Sequence, residues 1–151
     1  MDTAQNHKNN EGAVKGSFVF LFVILIATDQ ASKYLAKDIF QNHNFAFSLP
    51  VSAYLMYLVY FIGIASIAAY LFKQHQNLPK ANFFAWLVIL AGAVSNVGER
   101  VVLGYVRDWI YIGNGVFNFA DGYIIAGLLI LILRDTNIRM HANDTNNTNS
   151  I

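Results

Sequence analysis

Cysteine is absent from the 151 residues. Disulfides, a thiolate nucleophile and cysteine-based metal sites are therefore excluded. Histidine is sparse: His7, His43, His75 and His141 lie far apart and no His-Glu-x-x-His run occurs, so a zinc peptidase has little to build on. Charge is sparse as well. Only 13% of the residues are Asp, Glu, Lys or Arg, about half of the roughly 25% found in soluble domains. The net charge is +1 and no basic, aromatic-interleaved patch exists, so no nucleic-acid partner is indicated.

What fills the chain instead is apolar sequence, 56% of the total, gathered in blocks rather than spread in an amphipathic pattern. Blocks of this length suit membrane spans. The expectation is one all-α integral membrane domain over 17–133, with four transmembrane helices at about 17–35, 51–72, 82–102 and 117–133. Residues 1–16 and 134–151 read as polar tails, the latter disordered. The run 18–27 resembles the core of a signal peptide, but its leader is long and Asp29 and Lys33 follow without a small-x-small cleavage site, so the first span reads as uncleaved. Basic residues orient the spans: Lys8, Lys15, Lys73, Lys80, Arg134 and Arg139 fall on one side, so both termini face the cytoplasm. The loop 36–50 and the break 103–115 then form a small extracytoplasmic cradle of loop and strand-like pieces.

Polar residues inside such spans mark function by default, because their transfer into hydrocarbon is costly. Asp29 and Lys33 share a helix face. Either they make an interfacial ion pair with Lys33 snorkelling, or Asp29 points into the bundle and helps hold a substrate or a neighbouring polar group. In NHNFAFS (42–48), Phe45 and Phe47 alternate about Ala46, which suggests an extended piece; an aromatic membrane belt and a wall over a groove are equally open. Gly63, Ala65 and Ala69 in the second span, and Gly122 with Ala126 in the fourth, suit close helix approach. Gly92, Asn96 and Arg100 recur every fourth residue on one face of the third span, with Glu99 beside them, and are expected to line an active site. Asn118 and Asp121 share a face at the start of the fourth span, where Asp121 suits either a cap or a site. Asp108 ends the polar break GYVRDW. The topology brings Asp29, Lys33, Asn42, Asn96, Arg100, Asp108, Asn118 and Asp121 together at the outer surface. Two carboxylates that approach closely share a proton, which is the basis of acid/base hydrolysis.

The motifs resemble signal peptidase II, the bacterial lipoprotein signal peptidase family. Asp29-Gln30 with Ser32-Lys33, Asn96 with Arg100, GYVRDW (104–109) and FNFAD (117–121) occur in the family's order, and the likeness covers about 17–133. Asn44 stands where the family has Gly, Ser95 where it has Gly, Glu99 where it has Asp, and Arg107 where an apolar residue is common; the segment between the two aspartates is short.

The resemblance implies a four-span aspartic peptidase of the bacterial plasma membrane, with Asp108 and Asp121 as the catalytic dyad. It acts without a metal or other cofactor and removes signal peptides from diacylglyceryl-modified prolipoproteins. Asn96, Arg100 and Asn118 would orient the substrate or support the pair. Asp29, Lys33 and Asn42 would hold the loop or the substrate around its lipidated cysteine. The partners are the prolipoprotein and membrane lipids, and the protein is read as a monomer. The alternatives are a noncatalytic four-span protein that binds lipidated peptides, and a proton-coupled carrier.

Overall fold

The computed structural model describes residues 2–43, 52–74 and 77–148. Asn44, Phe45 and Phe47 of the first loop lie outside the described residues. The elements run α1 (Asp2–Leu35), β1 (Phe40–Asn42), α2 (Ala53–Gln74), α3 (Lys80–Leu103), β2 (Val106–Asp108), β3 (Ile110–Ile112), β4 (Gly115–Phe117) and α4 (Phe119–Thr148). Among the described residues, three helices are long and apolar enough to cross a membrane: Gly16–Leu35, Tyr54–Gln74 and Lys80–Leu103. The apolar stretch of α4, 122–133, is bracketed by Asp121 and Arg134.

Both terminal helices run beyond the apolar blocks into the stretches that composition reads as polar tails. An established helix adds one hydrogen bond per residue fixed, so extension is far cheaper than nucleation. The compositional boundaries remain visible even though the backbone stays helical across them.

The hub is α3, which packs against the other three helices. Its inward face carries Ala85, Leu87, Val88, Ile89, Ala91 and Gly92, then turns polar at Ser95, Asn96, Glu99 and Arg100. Two glycines set the α3–α4 distance. A Cβ on Gly92 would clash with the Ala120 carbonyl oxygen, and one on Gly127 would meet Ile89 at 2.5 Å and the Ala85 carbonyl oxygen at 2.7 Å. The small residues expected to do this were different ones. Gly122 and Gly63 have nothing within 4 Å of such a Cβ, and Ala65, Ala69 and Ala126 are exposed. A span that is apolar all round does not reveal which stripe faces its neighbour. Large apolar side chains, among them Phe20, Phe61, Ile62, Leu129 and Ile132, look outward from the bundle. That surface suits a lipid solvent.

Helix α3 stops at Gly104, whose left-handed backbone (φ 81°) lets its N–H return to the Arg100 carbonyl. The chain then forms the short strands of the expected cradle, with a pairing that the sequence does not show. β2 pairs antiparallel with β1, with Phe40 opposite Asp108 and Asn42 opposite Val106. β3 and β4 pair through a tight turn that places Ile110 opposite Phe117. Trp109 fastens this cradle: its N–H donates to the Phe117 carbonyl at 2.9 Å and its indole N–H reaches Ser32 Oγ at 3.3 Å.

Candidate active site

The first turn of α4 brings polar groups together. A helix start leaves its first backbone N–H groups without intrahelical partners. Here Asn118 Oδ1 accepts the N–H of Asp121 at 3.0 Å, while Asp121 Oδ2 accepts the N–H of Asn118 at 3.1 Å. This is a reciprocal capping box. A third N–H, that of Ala120, donates to Asp29 Oδ1 at 2.9 Å, so α1 caps α4 across the bundle. The capping and functional readings of Asp121 are therefore compatible: one carboxylate oxygen caps, and the other accepts the Asn96 amide at 2.9 Å.

Asp108 arrives from β2, and its residue is only 1% exposed. Residues diagonal across an antiparallel pair share a face. Asn42 stands diagonal to Asp108 and donates to its Oδ2 at 2.9 Å. The other oxygen, Oδ1, accepts from Asn118 Nδ2 at 2.5 Å. Burial holds the Asp108 carboxyl above the usual carboxylate range; the Asn42 hydrogen bond opposes this and the Asp121 charge adds to it.

Two amides join the carboxylates. Asn118 Nδ2 also donates to Asn96 Oδ1 at 3.1 Å, and Asn96 Nδ2 donates to Asp121. The orientation of the Asn96 amide is fixed by Lys33, whose ammonium donates to Asn96 Oδ1 at 2.8 Å. An ammonium has no acceptor, so the amide must present oxygen to it and nitrogen to Asp121.

Lys33 is fully buried, which overturns the snorkelling alternative; it lies 2.8 Å from Asp29 and 2.9 Å from Glu99. Asp29 also accepts Ser95 Oγ–H at 2.7 Å. Glu99 pairs in turn with the Arg107 guanidinium. These charges stand behind Asn96 rather than at the cavity wall.

The cavity in front of the pair has a volume of about 480 Å³. Asn42, Asn96, Arg100, Asp108, Asn118 and Asp121 contribute its polar side. Tyr60, Val97, Val116, Phe117, Ile124 and Ile125 contribute an apolar side. The Arg100 guanidinium lies over the Tyr60 ring, 5.4 Å from its centroid, and the Tyr57 hydroxyl donates to the Arg100 carbonyl at 3.1 Å. Neither tyrosine stood out in the sequence. Their one signal was a run of phenols three apart, Tyr54, Tyr57 and Tyr60, on a span without acids or bases until Lys73; the first of the three is exposed.

The family profile described as signal peptidase (SPase) II matches residues 21–136. Lipoprotein signal peptidases of Streptococcus pyogenes serotype M5 (strain Manfredo) and serotype M18 (strain MGAS8232) are each 26% identical over 140 residues, spanning 79% of this chain and 92% of theirs. Two solved structures titled as bacterial membrane enzymes, determined by the in meso method at 2.3 and 1.9 Å, superpose with TM-scores of 0.69 and 0.66. They are 21% and 20% identical and cover 81% and 79% of this chain and 88% and 92% of theirs, which bears on the fold.

Proposed function

The chain belongs to the signal peptidase II family, and on that premise we propose that it is a membrane peptidase that removes lipoprotein signal peptides with Asp108 and Asp121 as its reacting pair. The observation that carries this is the sharing of one cavity by the two carboxylates, joined through Asn118 and Asn96.

In this reading α4 forms the fourth span, both termini are cytoplasmic, and the cavity opens near the extracytoplasmic surface of the bacterial plasma membrane. The substrate is a diacylglyceryl-modified prolipoprotein, cut on the N-terminal side of its lipidated cysteine. Its acyl chains lie against the apolar wall of Val97, Ile124 and Ile125, where recognition is hydrophobic. The enzyme acts as a single copy.

The chemistry is general acid/base hydrolysis. The pair shares one proton, because two close carboxylates resist joint ionisation. The ionised aspartate takes a proton from water as the water oxygen attacks the scissile carbonyl carbon. The protonated aspartate donates to the carbonyl oxygen as charge develops there. Collapse breaks the C–N bond and passes a proton to the leaving α-amine of the cysteine. The Arg100 guanidinium, on the cavity wall, is placed to hold a backbone carbonyl of the substrate. The clustering of the polar groups at one end of the bundle disfavours a carrier, which needs a path across.

The test is co-expression with a lipid-modified prolipoprotein in cells lacking their own processing enzyme. Mature lipoprotein is expected from the parent and none from Asp108→Asn or Asp121→Asn. Maturation by either variant at the parental rate would eliminate the pair.

A further inference from the structure

We propose that Arg107 is a positioning residue for Asp108: bound to Glu99, it fixes strand β2 from the side away from the cavity and balances the buried charge behind the reacting pair. This rests on the reading of Asp108 and Asp121 as that pair.

Successive strand residues point to opposite faces. On β2, Asp108 turns to the cavity and Arg107 turns away from it, toward α1 and α3. Glu99 takes both the backbone and the side chain of Arg107. Its Oε2 accepts the Arg107 N–H at 3.3 Å and its Oε1 accepts Arg107 Nε–H. A second tie runs from Arg107 Nη2 to Gln30 Oε1 at 3.3 Å; Gln30 Nε2 donates to Ser95 Oγ at 2.9 Å, and Ser95 donates to Asp29. The residue beside Asp108 is therefore held to two helices. A strand of three residues paired with another of three has little rigidity of its own.

The same contacts make a balanced set. Asp29 and Glu99 supply two negative charges, Lys33 and Arg107 two positive ones. Facing this set are Asp108 from β2 and Asp121 from α4, with Arg100 from α3 beside Asp121 and the Tyr60 ring from α2 against Arg100. The Glu99 side chain is 1% exposed and that of Arg107 21%, so solvent screens Arg107 only in part. Removing the Arg107 charge leaves the set net negative and makes the aspartates harder to ionise. Removing the Glu99 charge leaves it net positive and does the reverse.

The full-length protein in detergent micelles, acting on a lipid-modified prolipoprotein peptide, tests this through kcat and KM across pH. Arg107→Met is expected to lower kcat about ten- to a hundredfold with KM unchanged, as a small misplacement of a reacting group does. Its pH–kcat profile should move upward by on the order of half a pH unit. Glu99→Gln should move the profile downward, the double variant should bring it back toward the parent, and Arg107→Lys should recover part of kcat. Where Arg107→Met does not accumulate, Arg107→Gln, which keeps a donor for Glu99 and loses the charge, takes its place. A parental kcat in the variant lacking the charge, or profiles that stay put or move the same way, would overturn the proposal. An active Asp108→Asn would instead sink the reading of the pair, so the two failures are distinguishable.

Discussion

Asn118 and Asp121 hold each other at the start of α4, each accepting the other's backbone N–H, at 3.0 and 3.1 Å. The bond that starts the helix therefore also aims a carboxylate. Asn118 does more than cap, since its amide nitrogen reaches both Asp108 and Asn96. Replacing a capping residue by Ala costs about 1 kcal/mol, and an orphaned buried acceptor adds roughly 1–3 kcal/mol. Asn118→Ala should lower the Tm and abolish processing together. Asn118→Ser keeps a cap but loses the amide donor to Asp108, so activity should vanish while Tm falls less. Thermal melts in detergent alongside the processing assay separate the two, and equal melting losses would refute this division of roles.

Stability should depend on pH through Asp108. Burial raises its folded-state carboxyl above the unfolded value. A raised value means that the native state holds the proton more readily, so this contribution is fully favourable below the unfolded range and is lost as pH rises through the folded one. Asp108→Asn removes the cost of ionisation. Its Tm should exceed the parent's at neutral and alkaline pH, and the two curves should converge as pH falls below the ordinary carboxylate range. A difference in Tm that is flat with pH would contradict this.

Lys33 neutralises two buried carboxylates at once. Taking one partner from a buried ion pair costs roughly 3–5 kcal/mol, because the remaining charge has no water to turn to. Lys33→Met should therefore sharply reduce the yield of folded protein in detergent and lower its Tm. A melt that matched the parent's would show that the buried charges are satisfied some other way.

The α3–α4 contact predicts a contrast between glycines in one helix. Gly127→Ala forces a methyl group into the Ala85 carbonyl and Ile89, and overpacking of that kind costs typically 1–3 kcal/mol. Gly122→Ala meets nothing within 4 Å and should hold or raise the Tm by helix propensity, within about 1 kcal/mol. Gly92→Ala presses on Ala120, the residue before Asp121, and should lower kcat as well as Tm. Equal effects of the Gly122 and Gly127 substitutions would disprove the assignment of the packing stripe.

The apolar blocks were legible because water-excluded segments must be long and nearly uncharged, and the C-terminal end of α1 and both ends of α2 and α3 fall within a few residues of where composition puts them. Asn96, Arg100, Asp108, Asn118 and Asp121 were legible for the complementary reason: in such a chain each polar residue stands out, and the cavity gathers all five. A strand-like cradle was expected there, but the bounds and pairing of its strands were not legible. Three residues such as Val106–Asp108 are too few to show a period of two, and their pairing joins positions distant in the chain. Which glycines pack was hidden by helices that are apolar on every side. The tyrosines were hidden because a phenol in a span reads as one more aromatic. Glu99 and Arg107 were visible as unusual residues, yet only the fold shows that they meet.

The cap that Asp29 places on Ala120 has a consequence for synthesis. It joins α1 to α4, a helix made more than eighty residues later. Until α4 emerges, the nascent chain holds Asp108 without Asp121 and lacks one wall of the cleft. On this reading cutting power is acquired only once α4 has been made, and a product terminated before it has none.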